Sequence, residues 1–550
     1  MPRGALVTPE ALAAGVLGAA AAIMVAGVLL DAVHCAISPL GSTVLALVCG
    51  AALCRITPRA FSDSEDGNEG ATIVLFGLVA LSVAGSLLWL AWPSLLPVVD
   101  GPDIVHHLSL IHVLQRTHRL PHDPALAPYL GEMMQYTPGS HLLGATLASL
   151  LQVDAIRVVH PVMAAAAGMK AALVFLVARR VVPSDAGSPW PALAAPVLLL
   201  VPAEYFYRSI TGFGFYAQVV SEMFAAGMLL AIVGWRETHA SGWLIVFAVA
   251  GIGAFLAWPV WVPVAMTSLA IVIARDRAMG EGARDLLVAF APVIAIGVLH
   301  VATHRGGASI LGSGGVVTVP TLAVFGAGFL VLACAGVLAG ARDTRARPLV
   351  VFLAVAVLQA AALAALNRWT GSSSLYLPYK MVYLIMLPCA VLAAYSLARL
   401  CALAQPRSRG LRRVLPYLPI AIAVALAWGR VPASRLRSPI NESAYAAGLW
   451  ARDRLPAGCI DYFSRHWLTG YWLHLDVLGN PRASRRMDAE TFEFKDAVAK
   501  WIEGRGMPYG IVEDVAMLPN DMRADIDVLA HVGAAAVIRR RGLTPSVCRE

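Results

Sequence analysis

Across 550 residues the chain is 58% hydrophobic and only 14% charged, with a mean hydropathy of +0.70. A soluble globular protein carries roughly a quarter charged residues, so this composition excludes an ordinary soluble enzyme and describes a chain held mostly within a lipid bilayer. The formal net charge of +8 is distributed by loop as a membrane-topology signal, not as a footprint for nucleic acid.

A helix needs about 20 apolar residues to cross the hydrocarbon core. About thirteen such runs are predicted, over residues 11–30, 38–55, 71–97, 156–178, 189–203, 216–235, 243–258, 259–275, 286–302, 318–340, 349–366, 379–399 and 414–429. The first lacks a small-residue cleavage exit and leads into another span, so no cleavable signal peptide is expected. With Met1 placed inside, the cytoplasmic loops hold seventeen arginines, from Arg3, Arg55 and Arg59 to Arg409, Arg412 and Arg413. The short loops opposite hold six basic residues: Arg116, Arg119, Arg208, Arg305, Arg368 and Lys380. An odd number of spans then places everything after about residue 430 outside. The expected organisation is a pair of transmembrane helices over 1–70, a transmembrane core over 71–429 with an outer loop at 98–155, and an extracytoplasmic α/β domain over 430–550.

Six cysteines (Cys35, Cys49, Cys54, Cys334, Cys389 and Cys401) lie in or beside spans, where small apolar packing is the ordinary reading. Cys459 and Cys548 fall in the outer domain, where an oxidising exterior would let them pair.

The third run ends in "VVDGPDIVHHLSLIHVL", Val98 to Leu114. Apolar residues at Ile104, Leu108, Ile111 and Leu114 predict an amphipathic helix lying on the membrane surface. Asp100 and Asp103 stand three residues apart at its start and can share one face. Asp103 could cap the helix, which accounts for one carboxylate but not two. A carboxylate at the membrane boundary also suits deprotonation of a hydroxyl as it attacks an activated sugar. His106, His107, His112, His118, His122 and His141 crowd the same loop. Asp with His could bind a divalent ion such as Mg or Mn, although no strict ligand spacing is present; the plain reading is hydrogen bonding to headgroups or backbone. "GEMMQYTPGSHLLGA" follows, where Tyr136 and the Pro138-Gly139 turn offer either an aromatic face for a sugar or an interfacial anchor. The segment "SHLLGATLASLLQ" is too short to cross and reads as an interfacial or re-entrant helix.

Later in the chain, residues 303–317 form a Gly-rich outer loop with no phosphate-loop lysine, read as a linker or a flap. Lys380, one of four lysines with Lys170, Lys495 and Lys500, sits at the outer mouth of a span among Tyr376, Tyr379 and Tyr383. Snorkelling is its ordinary explanation; a lipid phosphate is the natural functional partner, with Arg368 and Arg208 as second candidates. Lys170 is expected to snorkel toward the cytoplasm. Beyond Arg430, helices over "NESAYAAGLWARDRLPAG" and "DAETFEFKDAVAKWIEG" alternate with strands at "CIDYFS", "YGIVEDV" and "AAAVIRR", with "LPNDMRADIDVLAHVG" as the last connection.

Taken in order, "PDIVHHLSLIHVLQRTHRLP", "YTPGSHLLGA", "LYLPYKMVYLIMLP" and the C-terminal "AAGLWARDRLPAGCIDYF" resemble the GT-C glycosyltransferases, polytopic enzymes that use polyprenyl-phosphate sugars. The resemblance covers most of the chain in plan and only short motifs in residues. The acidic loop follows the third span here, where the family places it after the first, and Ile104 stands where an acidic doublet is common. The resemblance implies a bacterial inner-membrane enzyme with its N-terminus cytoplasmic. It would move a sugar, with inversion, from a polyprenyl-phosphate donor to a glycan, lipid or protein acceptor of the cell envelope. It places Asp103 as general base, supported by Asp100 or a histidine. Lys380, Arg368 or Arg208 would stabilise the leaving phosphate, while Tyr136, Tyr379, His106, His107 and His141 would contact substrate. Competing readings are a transporter or flippase of lipid-linked glycans and a non-catalytic partner in envelope assembly.

Overall fold

The computed structural model describes residues 7–58, 69–99, 101–183, 188–303, 314–371, 374–403, 414–481 and 492–543. Asp100 and Cys548 lie outside the described residues, as does most of the Gly-rich loop.

The chain opens with two helices, α1 (Pro9–Ala32) and α2 (Pro39–Ile56). Each begins with a hydroxyl cap and a proline: Thr8 accepts from the Ala11 N–H at 3.2 Å and Ser38 from that of Gly41 at 3.1 Å. The proline loses no bond there, because the first helical N–H has no intrahelical partner. α3 (Glu69–Leu90) leads to two shorter helices, α4 (Asp103–Thr117) and α5 (Gly139–Leu151). The bundle then continues through α6 (Ile156–Val181), α7 (Tyr216–Thr238), α8 (Ser241–Ala257), α9 (Val262–Asp276), α10 (Met279–Thr303), α11 (Ala327–Gly340), α12 (Arg347–Trp369), α13 (Tyr376–Leu403) and α14 (Leu418–Ala427).

Among the described residues nine helices are long and apolar enough to cross a membrane: α1, α2, α3, α6, α7, the Pro259–Asp276 segment ending in α9, α10, α12 and α13. With the shorter apolar helices α8, α11 and α14, they make a multi-pass membrane protein. Four expected spans come out short or broken for local reasons. Residues 189–203 form a 3-10 turn at Pro191–Leu193 and a five-residue helix at Ala194–Leu198, because Pro191, Pro196 and Pro202 withhold N–H groups and obstruct the preceding turn. The run 318–340 breaks at Gly326, whose φ of 79° a helix cannot accommodate. α8 and α14, the other two, are 17 and 10 residues long.

α6, α7 and α13 form the centre of the bundle, while α2, α3, α10 and α12 keep most of their apolar surface outward, as helices facing lipid must. Close packing depends on small residues. At Gly336 in α11 an added Cβ would lie 2.0 Å from the Leu392 carbonyl oxygen of α13.

The C-terminal domain comprises α15 (Glu442–Arg454), β1 (Ile460–Phe463), α16 (Phe494–Ile502), β2 (Tyr509–Val512), β3 (Ile526–Val532) and β4 (Ala535–Arg540). Its sheet runs β1-β2-β4-β3, with β1 and β2 parallel and the other pairs antiparallel. β3 lies inside the stretch expected to be a connection. It is a half-exposed edge strand, so it lacks the continuous apolar run by which β2 and β4 announce themselves. Cys459 is disulfide-bonded.

This domain is bound to one end of the bundle by polar contacts. Arg157 at the start of α6 donates to both oxygens of Glu442, at 2.9 and 2.8 Å, and Tyr445 donates to Asp154. Gly336→Ala should force α11 and α13 apart and cost about 1–3 kcal/mol of stability. Gly85→Ala, whose added Cβ meets no atom within 4 Å, should be neutral or slightly stabilising. Thermal unfolding of the two variants in one detergent checks the contrast.

Candidate active site

α4 was expected to lie on the membrane surface, but ten of its fifteen residues are buried. It is held between α5 and the Leu473–Val477 segment of the C-terminal domain. The amphipathic pattern is real; its polar face meets protein where headgroups were expected. His106 Nε2 lies 2.7 Å from the Tyr471 hydroxyl and its Nδ1 3.2 Å from Glu132. Nearly two helix turns further, His112 Nδ1 lies 2.9 Å from the buried Asp476 carboxylate.

Asp103 does not cap the helix. Pro102 occupies the cap position with no side-chain bond, and Asp103 is the first helical residue. The positive end of the helix favours a carboxylate there while leaving it free for other work. Four residues on, His107 faces it across 3.6 Å (Asp103 Oδ2 to His107 Nε2), as i,i+4 spacing allows. Behind, His107 Nδ1 meets His141 Nε2 at 2.8 Å. His141 sits in the first turn of α5, placed by the Tyr136–Gly139 turn. Thr137 donates to the Ala257 carbonyl at 3.0 Å. A Cβ at Gly139 would lie 2.7 Å from Leu256, so the glycine lets this turn press against α8. The Tyr136 ring stands edge-on to both histidines, at centroid distances of 5.4 and 5.6 Å.

From the other side, α13 brings Lys380 to the same place. Its Nζ donates to Gln218 Oε1 of α7 at 2.6 Å and lies over the Phe215 ring. Asp103, His107, Tyr136, Gln218, Trp258 and Lys380 line one cavity of about 90 Å³, together with Glu132, Met133, Phe215 and Tyr376.

The charges there are set by neighbours. Asp103 lies deep among protein atoms, although 42% of its side chain opens to the cavity. Burial pushes its pKa up, but His107, then Lys380 and His106, outweigh that and hold it below the ordinary carboxylate value. Tyr136 is pushed well above its ordinary value by burial and then by Asp103, so it remains a hydroxyl donor. His141 is held well below the ordinary imidazole value by burial and then by His107, so it is neutral. The arrangement offers an ionised carboxylate and a lysine on opposite walls, with a protonated phenol between.

Other expected site residues lie elsewhere. His106 reaches the C-terminal domain, and His141 backs His107 without lining the cavity. Tyr379 is half-buried outside it, and Arg368 is exposed at the end of α12. Arg208 pairs with Glu204 at 2.7 Å and lines a separate cavity of about 530 Å³ with Arg430 and Arg437. Asp100 lies outside the described residues. Sequence reading passed over Gln218, Trp258 and Glu132. Gln218 and Glu222, one turn apart in an otherwise apolar helix, carried the available signal. Among the described residues no three His, Cys, Asp or Glu side chains converge to hold a metal.

No protein-family model matches the chain, and no curated protein matches it in sequence. Solved structures do resemble it. The arabinofuranosyltransferase AftD from mycobacteria aligns at a TM-score of 0.50 and 14% identity, over 86% of this chain and 40% of that one; this chain therefore spans under half of AftD. ArnT from Cupriavidus metallidurans, bound to undecaprenyl phosphate, aligns at 0.47 and 13% identity, over 86% and 98%. The archaeal oligosaccharyltransferase AglB from Archaeoglobus fulgidus, with an inhibitory peptide and a dolichol-phosphate, aligns at 0.47 and 15%, over 80% and 69%. The chain shares the membrane fold seen in AftD.

A reaction that uses Asp103 as a base should fall on the acid side of its pH profile as the carboxylate is protonated. His107→Ala removes the strongest influence opposing burial, so the acid limb should move to higher pH. A pH–rate profile of the two proteins checks the direction.

Proposed function

We propose that this protein is an inverting glycosyltransferase that takes a sugar from a polyprenyl-phosphate donor on the extracytoplasmic face of a bacterial inner membrane. The observation that carries this reading is the shared cavity of Asp103 and Lys380, which lies at the first turns of α4 and α13. A lipid-linked donor can keep its polyprenyl chain in the bilayer while its sugar phosphate reaches that level. Undecaprenyl phosphate is the molecule bound in the ArnT structure.

In the proposed reaction the acceptor hydroxyl attacks the anomeric carbon from the side opposite the phosphate. The new C–O bond forms as the bond to the phosphate oxygen breaks, and the electron pair leaves on that oxygen. Asp103 Oδ takes the hydroxyl proton, which an ionised carboxylate beside a helix N-terminus is ready to do. The Lys380 ammonium stabilises the departing phosphate. The Tyr136 hydroxyl is placed to donate to a sugar or phosphate oxygen. His107, with His141 behind it, holds the Asp103 carboxylate in its orientation. The acceptor is a glycan, lipid or protein of the cell envelope.

A transporter of lipid-linked glycans is the second reading, favoured by one observation. Lys170 and Glu222 form an ion pair inside the bundle, and buried ionisable residues also mark transport paths. Protein in nanodiscs with a polyprenyl-phosphate sugar and candidate acceptors separates the two. Asp103→Asn should lower transfer by about 10²–10⁴-fold, the range of a general base, with the melting temperature retained. Lys380→Ala should chiefly raise the donor KM. Unchanged turnover in Asp103→Asn, or translocation of the lipid without release of polyprenyl phosphate, would overturn the transferase reading.

A further inference from the structure

Lys380 is the last member of a buried chain that runs from the cavity into the centre of the bundle. Its other members are Gln218 and Glu222 on α7 and Lys170 on α6, each no more than 2% exposed. Lys380 donates to Gln218 Oε1 at 2.6 Å, and Gln218 Nε2 donates to Glu222 Oε1 at 3.0 Å. Lys170 donates to the other Glu222 oxygen and lies over the Phe206 ring. Lys170 was expected to reach toward the cytoplasm; its pairing with Glu222 shows why it does not. A buried carboxylate needs a counter-charge more than a lysine needs the interface.

The order of these groups leaves one arrangement. A lysine ammonium only donates and an ionised carboxylate only accepts. Gln218 stands between a donor and an acceptor, so its amide must turn its NH₂ to Glu222 and its carbonyl to Lys380. The reverse would set oxygen against oxygen and N–H against N–H. Glu222 therefore fixes the amide, and the amide fixes the ammonium. The charges are arranged with equal economy. Lys170 neutralises Glu222 by direct contact, whereas Lys380 touches a neutral amide and an aromatic face. Its position is constrained but its positive charge is not cancelled by contact, which leaves it for an anion in the cavity.

We propose that Gln218, Glu222 and Lys170 are positioning residues that hold the Lys380 ammonium, oriented and uncancelled, for the phosphate of the lipid-linked donor. This rests on the reading of Lys380 as the phosphate-binding group. Gln218 is an orienting spacer: a carboxylate at its place would quench the lysine, and an apolar side chain would release it.

The test is binding of undecaprenyl phosphate to the full chain in nanodiscs, with melting temperature measured alongside. Gln218→Met, which leaves the Lys170–Glu222 pair intact, should weaken binding about tenfold, as one hydrogen bond to a charged group implies. Gln218→Glu should weaken it further, although the side chain keeps its size and polarity. In a Lys380→Met background Gln218→Met should add less than about twofold, because neighbours acting through one another are non-additive. A merely structural role would give the same loss in both backgrounds. Full additivity, or Gln218→Glu binding as tightly as wild type, would overturn the chain while leaving Lys380 as the phosphate ligand. Wild-type binding that Lys380→Met leaves unchanged would overturn the reading of Lys380, and the chain with it.

Discussion

The cost of placing charge in an apolar bundle governs this structure. An unpaired ion there is expensive, so each must be matched. The central helices α6, α7 and α13 are the ones that carry Lys170, Glu222 and Lys380. The Lys170–Glu222 pair closes the inner part of the account, and a neutral amide passes its orientation to Lys380 without passing on its charge. At the end of the bundle Lys380 and Asp103 face each other across a small polar cavity, each lowering the other's cost. Close helix packing then follows, with glycines such as Gly336 permitting backbone contact.

The C-terminal domain belongs to the same arrangement. Helix α4 carries Asp103 at its first position and histidines along its polar face. That face is covered by Tyr471 and Asp476, so the helix bearing the carboxylate is enclosed between domain and bundle. Arg157 with Glu442 and Tyr445 with Asp154 hold the domain at the start of α6. Asp103 is thus oriented from behind by the His107–His141 pair and supported from above, while its open side faces the cavity. Such backing is what a reacting group needs, since small errors in placement are costly.

Much of the architecture was legible in apolar run lengths. Nine expected spans are single long helices, and the caps at Thr8 and Ser38 and the break at Gly326 follow local rules. The proline-broken 189–203 run and the half-exposed strand β3 were misread, the first by counting apolar residues without their punctuation, the second because an edge strand shows only a weak alternation. At the site, Asp103, His107, Tyr136 and Lys380 were each visible as polar residues in apolar surroundings. Arg208 and Arg368 stood out equally, yet the fold takes them elsewhere.

By itself the sequence determined that this is a multi-pass helical chain with a mixed α/β end and a polar island at the start of α4. Those are properties of neighbouring residues, set by the length of an apolar run, the helix period and the chemistry of caps. Only the tertiary structure decided which polar residues meet. Asp103 and Lys380 are separated by about half of the chain, and Gln218, Glu222 and Lys170 come from two further stretches. Their meeting depends on how helices pack side by side, and nothing in the local pattern around any one of them encodes its partner.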